Sequence, residues 1–487
     1  MRPSRAVLIL LVGCKQPADS GPTGTDDPPT VYAPGDCAQP VAGAVCGTLS
    51  VPERHGSGGS TMITLSVAVV PATSGNSETT PLVLFSGGPG ADIFDLASIF
   101  TDAGPYAALN VDHDVVLLSE RGTFGATPLL DCPELSEVDA VFDAPPEQRS
   151  GVRSIAYAEC RDRLVTDGVD LAAYTNTQRA ADVAPVLQAL GYSHWHLWGV
   201  SGGAALVQTL VRDHPDGIAS AMVDSGGFPD ADMGAIPGVL IPNASQRYRR
   251  MFDECASDRG CSGAYPTFEA DFLGLIDSLE ASPRNVQVTH PITGETRDVQ
   301  LDGDLLLQLY TNNMASVQYF PLVTEQALAG DYSVIDPLLP DGLVEDTGPG
   351  FADALYRSVF CSAIASRVDV DTTGALPEVV SALEPTVTDL LTGCDAWDVP
   401  DDPPGGPVTS DTIPILILEG MYDTNRPPEW GGDVAPNFDT AYLAEFGDRG
   451  HVVLGDCAAS MMQAFMADPT RSPDTSCVPD HVDWLLP

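Results

Sequence analysis

The sequence predicts an α/β protein, with a mostly parallel, doubly wound sheet that is split by a large helical insertion. Short, continuous apolar runs alternate with segments of helical periodicity across residues 36–228, a pattern typical of parallel strands covered on both faces. Strand patterns then stop, and they return only at Ile413–Leu418 and Thr440–Phe446. One sheet interrupted by residues 229–410 explains this order most simply.

Three strands and their turns form the first half of the predicted sheet. The runs Ile63–Val70, Leu82–Phe85 and Val115–Leu118 are rich in apolar and β-branched residues. The second run ends in Ser86-Gly87-Gly88-Pro89-Gly90, and the third ends in Ser119-Glu120-Arg121-Gly122-Thr123. Each of these turns is therefore expected at a strand end.

An alternation of helix and strand follows. Apolar residues at helical spacing predict a helix over Thr177–Leu190, which Gly191 ends. Trp195–Val200 is predicted as a strand, Ala204–Arg212 as a helix and Ile218–Val223 as the next strand. This alternation is the basis for predicting a doubly wound core.

The insertion is predicted to be mostly helical, with segments such as Thr267–Leu279 and Gly303–Tyr310. The expected domain organisation is a core in two parts, 36–228 and 411–487, with residues 229–410 inserted between them as a helical cap. No internal repeat is visible in the chain.

The charge balance excludes some partners. Sixty-eight acidic residues face 22 basic ones, which gives a formal net charge of −46. A surface this negative repels nucleic acid and anionic lipid head groups. The acidic residues are spread along the chain, and two interpretations stay open: an adaptation for solubility or salt, and attraction of cationic substrates.

The N-terminal residues have the pattern of an export signal. Arg2 and Arg5 precede a short apolar run that ends in Leu11-Val12-Gly13-Cys14. This ending resembles a bacterial lipobox, whose cysteine is lipidated and begins the mature protein; an ordinary signal with a chance cysteine is the alternative. We expect a signal over 1–13, a lipid anchor on Cys14 facing the periplasm or the outside, and a flexible tether over 14–35.

Ten further cysteines predict disulfides, because an even number in an exported chain is typical of them. Nearest-neighbour pairing gives five bridges, although the sequence alone leaves the connectivity open. No two cysteines have C-x-x-C spacing, so neither a zinc site nor a redox motif is expected. The ten are Cys37, Cys46, Cys132, Cys160, Cys255, Cys261, Cys361, Cys394, Cys457 and Cys477.

The strongest chemical motif is Gly199-Val200-Ser201-Gly202-Gly203, which fits G-x-S-x-G. A strand precedes it and a helix follows it, which is the context of a nucleophile elbow. Such a turn holds a serine hydroxyl above the sheet at a helix N-terminus. Ser201 is therefore the candidate nucleophile, and Ser201 at this position excludes enzymes with an aspartate nucleophile.

A serine hydroxyl needs a base, and the base needs an orienting acid. In this kind of fold the order along the chain is serine, acid, histidine. His451 follows the last strands and is the candidate base, whereas His481 is expected at the surface. Asp423, in the turn after Ile413–Leu418, is the candidate acid, with Asp224 as its rival.

Two more features complete the predicted site. The anionic intermediate needs backbone N–H donors, which we expect from Gly202 and from Gly88 in the Gly87-Gly88-Pro89-Gly90 loop. Glycines there let the backbone approach closely. His194 and His196 could be mistaken for a metal pair, but they lack a third ligand and are interpreted as structural.

With these motifs the chain resembles the proline iminopeptidase and tripeptidyl aminopeptidase family of α/β-hydrolases. The resemblance covers nearly everything after the tether and implies an α/β-hydrolase core with a helical cap, peptidase activity at free N-termini, and no metal or cofactor. It rests on residues 46–52, the Gly-Gly-Pro-Gly loop, Arg121-Gly122-Thr123, the Ser201 elbow, Ser358-Val359-Phe360-Cys361, the Asp423 turn, Gly450-His451 and the pair Cys457 and Cys477.

The chain also departs from this family. The family commonly has Asp at Ser119, Gly at Phe124, an aromatic residue at Gly202, and an acid near Ser362 and Ala363. These departures concern substrate preference, because one fold hosts many hydrolases. The expected function is thus an exported aminopeptidase acting on peptides; an esterase for small or apolar acyl esters is the alternative, and a non-catalytic binding protein is disfavoured by the complete triad.

Substrate binding by an aminopeptidase requires a carboxylate for the charged amine. The insertion offers many acids, and the sequence does not select among them or indicate an oligomeric state. The candidates singled out are Asp253, Glu254, Glu269, Asp271 and Glu325.

Overall fold

The computed structural model describes residues 27–57, 61–75, 78–100, 104–344, 350–364, 368–403 and 405–487. The predicted signal, the lipidation site Cys14 and most of the tether lie outside the described residues. The last residues of that tether are described, and they differ from the prediction: Val31–Pro34 forms an edge strand instead of flexible chain.

A nine-stranded sheet forms the centre of the molecule, in the order β1-β2-β3-β5-β4-β6-β7-β10-β11. The first three strands are antiparallel to their neighbours, and the pairs from β5 to β11 are parallel. Strands β8 and β9 form a separate antiparallel hairpin. The strands are β1 Val31–Pro34, β2 Val45–Pro52, β3 Met62–Val70, β4 Glu78–Phe85, β5 His113–Leu118, β6 Trp195–Val200, β7 Ile218–Asp224, β8 Arg284–Thr289, β9 Thr296–Leu301, β10 Ile415–Gly420 and β11 Ala441–Phe446.

Helices connect the parallel strands and fill the insertion between β7 and β10. They are α1 Ser136–Asp139, α2 Pro146–Thr166, α3 Asn176–Ala189, α4 Gly202–Asp213, α5 Ile236–Ser257, α6 Arg259–Ala264, α7 Phe268–Ala281, α8 Gly303–Asn312, α9 Phe320–Leu328, α10 Leu339–Leu343, α11 Asp353–Ile364, α12 Pro377–Trp397, α13 Glu429–Val434 and α14 Asp456–Ala467.

Both faces of the sheet are covered, because successive side chains of each strand point to opposite sides. Val83 and Leu197 pack with α3 and α4 on one face. Leu84 and Trp198 pack with α14 on the other. The continuous apolar runs of the sequence therefore correspond to strands that are buried on both sides, as predicted.

The insertion has a hydrophobic core of its own, formed largely by α5, α7, α8, α9 and α12. It was predicted as mostly helical, and the β8–β9 hairpin is the exception. Val286 and Val288 of this hairpin are buried while the residues between and beside them are exposed, which is the period of a half-buried strand. Tyr422, next to the predicted acid, packs into the same cluster.

Five disulfides join the described cysteines in nearest-neighbour order. None of them connects the insertion to the core sheet. Among the described residues, no helix combines the length and apolar character that crossing a bilayer requires. The pairs are Cys37–Cys46, Cys132–Cys160, Cys255–Cys261, Cys361–Cys394 and Cys457–Cys477.

Candidate active site

Ser201 lies in the sharp turn between β6 and α4. Its φ of 56° and ψ of −121° are strained for a residue with a side chain. The N–H of Ser201 donates to the Asp224 carbonyl at 2.9 Å, which ties the turn to the neighbouring strand β7. The backbone thus holds the hydroxyl above the carboxyl edge of the sheet.

Three side chains from distant parts of the chain meet at this edge. Nε2 of His451 lies 3.0 Å from Oγ of Ser201, and Nδ1 lies 2.8 Å from Oδ2 of Asp423. Asp423 is fully buried, whereas His451 is partly exposed. The rival Asp224 makes no hydrogen bond to His451 in the described structure, and its Oδ1 accepts instead from the N–H of Val453 at 2.9 Å.

Asp423 is held in its ionised form. Burial alone would favour the neutral acid, but the charge and hydrogen bond of His451, the charge of Arg426 and a backbone N–H outweigh it, so the pKa of Asp423 lies below its ordinary value. That N–H belongs to Asn425 and donates to Oδ1 at 2.8 Å. A carboxylate so placed can fix the tautomer of His451 and stabilise its protonated form.

Gly88 and Gly202, the two residues predicted to supply the oxyanion donors, lie in close contact. A Cβ placed on Gly202 would lie 2.4 Å from the Gly88 carbonyl oxygen, so a side chain at position 202 is incompatible with this loop. Gly88 has a φ of +103°, which disfavours other residues. In the described part of the chain, neither N–H donates a hydrogen bond to a protein acceptor. Both donors are therefore free to bind an oxygen of a substrate.

The loop that carries His451 is anchored to the end of β7. Ser225 Oγ accepts from the N–H of Val452 at 2.8 Å, one residue before the bond between Val453 and Asp224. Val452 has a φ of 72°, which is unfavourable for a β-branched residue. The side-chain carboxylate of Asp224, the rival candidate for the catalytic acid, thus supports the loop of His451 by accepting from a backbone N–H of that loop.

Arg426 and Glu419 are two buried ionisable residues of this region that the sequence analysis missed. Arg426 is buried, and its Nη2 donates to Ser201 Oγ at 3.1 Å. Glu419 is buried beside Arg426 and accepts from the N–H of Gly227 at 2.9 Å. Burial raises the pKa of Glu419 to about 8. Burial also raises the pKa of Asp224, to about 6. The sequence did contain a signal for Arg426. It stands three residues after the candidate acid, in a chain that has only 22 basic residues.

The insertion contacts the turn of Asp423 directly. Asn243 of α5 donates to the Asp423 carbonyl at 2.9 Å, and Arg247 of the same helix donates to the Met421 carbonyl at 3.1 Å. Thr424 donates to the Thr311 carbonyl of α8 at 3.0 Å. The position of the acid therefore depends on the cap as well as on the sheet.

The other histidines considered in the sequence lie elsewhere. His481 is exposed and pairs with Asp480, which raises the pKa of its imidazole. His194 is exposed and precedes β6, whereas His196 is buried against Ser220, with Nδ1 2.8 Å from the hydroxyl. Burial lowers the pKa of His196 to about 4, so the two histidines occupy different environments.

The five acids singled out in the insertion do not lie free in a buried site. Asp253, Glu269, Asp271 and Glu325 are exposed to solvent. Glu254 is half-buried, but its carboxylate pairs with Arg250 at 2.7 Å and accepts from the Tyr422 hydroxyl at 2.8 Å. None of them is therefore positioned as an unpaired partner for a substrate amine.

Two family models match the sequence, and together they include all three residues of the cluster. The model described as alpha/beta hydrolase fold matches residues 80–275, which contain Ser201. The model described as TAP-like protein matches residues 381–477, which contain Asp423 and His451. No curated protein sequence is significantly similar to this chain.

Solved structures with a similar fold include enzymes with different names. A proline iminopeptidase from Mycobacterium smegmatis is 15% identical, with a TM-score of 0.34, and the match covers 84% of this chain and 91% of that one. An esterase from Exiguobacterium antarcticum is 12% identical, with a TM-score of 0.35 and coverage of 84% and 96%. An α/β hydrolase from a Medee basin deep-sea metagenome library is 11% identical, with a TM-score of 0.37 and coverage of 85% and 97%.

Proposed function

Because the chain has the α/β-hydrolase fold, we propose that it is a serine hydrolase that acts through an acyl-enzyme on Ser201. The observation that carries this proposal is the chain of contacts from Asp423 to His451 at 2.8 Å and from His451 to Ser201 at 3.0 Å. These distances are within hydrogen-bond reach for nucleophile, base and orienting acid.

The reaction follows from this arrangement. His451 takes the hydroxyl proton as Ser201 attacks the substrate carbonyl carbon, and Asp423 stabilises the resulting imidazolium. The N–H groups of Gly88 and Gly202 bind the oxyanion. His451 then protonates the leaving group, and a water molecule, activated by the same imidazole, releases the acyl group from Ser201.

Labelling with a fluorophosphonate tests the proposal. The wild-type chain should be labelled on Ser201, and Ser201→Ala should abolish labelling. Ser193→Ala is a matched control, because Ser193 is exposed and precedes β6, at the opposite end of the strand from Ser201. Labelling that persists in Ser201→Ala, or a wild-type chain that is not labelled, would contradict the assignment.

Within this class we propose an aminopeptidase that cleaves near free peptide N-termini. The match of residues 381–477 to the TAP-like model supports it. So does the large insertion, which contacts the Asp423 turn through Asn243 and Thr311. A site roofed by such a cap admits a chain end more easily than a loop of a folded protein.

An esterase remains the second candidate, and one observation favours it. The five cap acids considered for binding the substrate amine are either exposed or, in the case of Glu254, already paired. A buried ammonium without a carboxylate partner is costly. The test is a short peptide amide offered with a free amine and with an acetylated amine, beside simple acyl esters. Equal cleavage of both peptides, or cleavage of esters only, would reject the aminopeptidase.

Export and lipid attachment at Cys14 are proposed together. Five disulfides support an oxidising compartment, the periplasm or the outside of the cell. Mass spectrometry of the mature N-terminus should find a lipidated cysteine derived from Cys14, and Cys14→Ala should release the protein from the membrane fraction. An unmodified N-terminus downstream of Cys14 would rule out the anchor.

A further inference from the structure

Arg426 is the one cation in direct contact with the described nucleophile and base. Its side chain is 3% exposed. Nη2 lies 3.1 Å from Oγ of Ser201, and 3.3 and 3.2 Å from Nδ1 and Nε2 of His451. Its Cζ lies over the ring of Phe228, 4.5 Å from the ring centre. The guanidinium therefore contacts two rings and the nucleophilic oxygen at once.

The two similar distances to His451 show how Arg426 meets the imidazole. An atom in the ring plane at such distances from both nitrogens would overlap the carbon between them. Nη2 must therefore lie over the face of the ring. The in-plane positions of the two nitrogens remain directed at Asp423 and Ser201, so Arg426 stacks on His451 without competing for its hydrogen bonds.

The hydrogen bonds of Arg426 differ from those of a structural arginine. Arg121, also fully buried, donates to both carboxylate oxygens of Asp182 and to the carbonyl oxygens of Glu53 and Ala173. In the described chain, by contrast, Nε and Nη1 of Arg426 have no hydrogen-bond partner. Its one in-line hydrogen bond to a side chain goes to the oxygen of Ser201.

Arg426 is held mainly by attraction to nearby carboxylates, because two of its three nitrogens have no hydrogen-bond partner in the described chain. Its Nε lies 3.7 Å from Oδ2 of Asp423. Asp224 also interacts with the charge of the guanidinium, whereas Glu419, whose pKa is raised to about 8, is largely un-ionised near neutral pH. A buried cation held in this way acts strongly on any charge that develops beside it, because little water screens the interaction.

We propose that Arg426 is a further catalytic residue, whose Nη2 stabilises negative charge on Oγ of Ser201; this inference rests on the acyl-enzyme mechanism proposed above. In the attack, the Oγ–carbon bond forms, the hydroxyl proton moves to Nε2 of His451 and the carbonyl electron pair moves to the substrate oxygen. The hydrogen bond from Arg426 strengthens as the proton leaves Oγ, because bonds to a charged acceptor are stronger.

The same charge develops on Oγ when the acyl group is released. After water has added to the acyl carbon, the carbon–Oγ bond breaks, the electron pair stays on Oγ, and Oγ takes a proton back from His451. Oγ is then the leaving group of the step, and its developing charge points at Nη2 of Arg426. On an activated ester, whose good leaving group makes acylation fast, loss of Arg426 should therefore appear mainly as slow deacylation.

The experiment compares Arg426→Gln and Arg426→Lys with wild type on a p-nitrophenyl ester that the wild-type enzyme hydrolyses. In Arg426→Gln, kcat should fall ~100-fold or more, the usual cost of losing one donor to a developing anion. A burst of about one nitrophenol per active site should precede the slow phase, and KM should fall with kcat, because the acyl-enzyme accumulates. Arg426→Lys keeps the charge and should recover part of kcat.

Arg357→Gln is the matched control. Arg357 is also buried and lies over an aromatic ring, 4.1 Å from the ring centre of Tyr157, and its hydrogen bond goes to the Leu390 carbonyl. This variant should lose thermal stability without a burst. Suppose that Arg426→Gln folds and is labelled by the fluorophosphonate. A kcat within about threefold of wild type, or the absence of a burst, would then overturn this inference and leave the proposed function intact. A wild-type chain that is not labelled would overturn the proposed function and this inference with it.

Discussion

The nucleophile turn and the acid turn of the candidate site are built in different ways. The turn of Ser201 is fixed by its own backbone, by its glycines and by the neighbouring strand β7. The turn of Asp423 has backbone hydrogen bonds to the end of β11, but it is held in addition by side chains from the insertion, including Asn243 and Arg247. One half of the site is thus encoded locally, and the other half depends on a domain inserted almost 200 positions earlier. Substitutions in or beside the Ser201 turn should therefore impair activity directly, whereas activity should also depend on cap residues that contact the Asp423 turn.

The largest effect tests whether the two turns meet in one catalytic unit. Ser201→Ala and His451→Ala should each lower kcat by about 10⁶, and the double variant should lose little more, because a triad acts as a unit. Asp423→Asn should cost about 10⁴, because it favours the wrong tautomer of His451. Asp224→Asn should cost much less. Steady-state kinetics on one substrate decides this, and the reverse order of the two aspartates would overturn the acid assignment.

A smaller effect is expected from a substitution in the Ser201 turn alone. In Gly202→Ala, the new methyl group would lie 2.4 Å from the Gly88 carbonyl oxygen, which forces the Gly87-Gly88-Pro89-Gly90 loop away from Ser201. We expect kcat to fall by about 10²–10³, as for loss of an oxyanion donor. Gly263→Ala is the control, because a Cβ at that cap position meets open space. Equal activity of the two variants would contradict the close approach.

The pH dependence of stability tests the protonation of Glu419, which is buried between the two turns. The pKa of Glu419 rises from its ordinary 4.5 to about 8 in the folded chain. The folded protein therefore keeps a proton that the unfolded chain loses, and its stability falls as the pH rises from about 4.5 to 8. Glu419→Gln should remove this fall, which is on the order of 5 kcal/mol for a pKa raised from 4.5 to about 8, while keeping the acceptor for Gly227.

Denaturant unfolding of wild type and Glu419→Gln at pH 5, 7 and 9 measures this difference. The two unfolding free energies should be closest at pH 5 and should diverge in favour of the variant at pH 9. Asp224, whose pKa of about 6 is also raised, gives a smaller change of the same sign that both proteins share. Parallel curves across this range would show that Glu419 is ionised when folded.

The smallest expected effect lies in the cap half. Asn243→Ala removes the hydrogen bond to the Asp423 carbonyl and should lower kcat about fivefold, since one such bond contributes roughly 1 kcal/mol. Labelling of Ser201 should slow in proportion. Asn285→Ala, on the exposed side of the β8–β9 hairpin, is the matched control and should behave as wild type. An equal loss in both variants would point to general damage to the cap.

This contrast also explains what the sequence could and could not predict. The α/β-hydrolase fold was predicted, and the fold comparison confirms it, because apolar runs and glycine-rich turns are local patterns. Ser201 was placed by its G-x-S-x-G motif, Asp423 and His451 were placed by chain order, and the structure brings the three together. Arg426 was missed because its contact with Ser201 spans 225 residues and depends on the direction of one long side chain.

Two elements show the same limit in the fold. The edge strand Val31–Pro34 is mostly exposed, so it lacks the burial pattern that reveals a strand and was assigned to the tether. The β8–β9 hairpin does show alternation at Val286 and Val288, but it is short and lies among helices. In both cases hydrogen-bonded pairing with a neighbouring strand determines the structure more than the segment's own sequence does.

The nearest-neighbour order of the disulfides has a consequence for biogenesis. The paired cysteines are separated by 9, 28, 6, 33 and 20 residues, and no pair overlaps another. If the chain is exported as proposed, it emerges from the translocon N-terminus first and can close each bridge before the next cysteine appears. We therefore expect vectorial oxidation, in which a dithiol oxidase suffices and a disulfide isomerase contributes little to the yield.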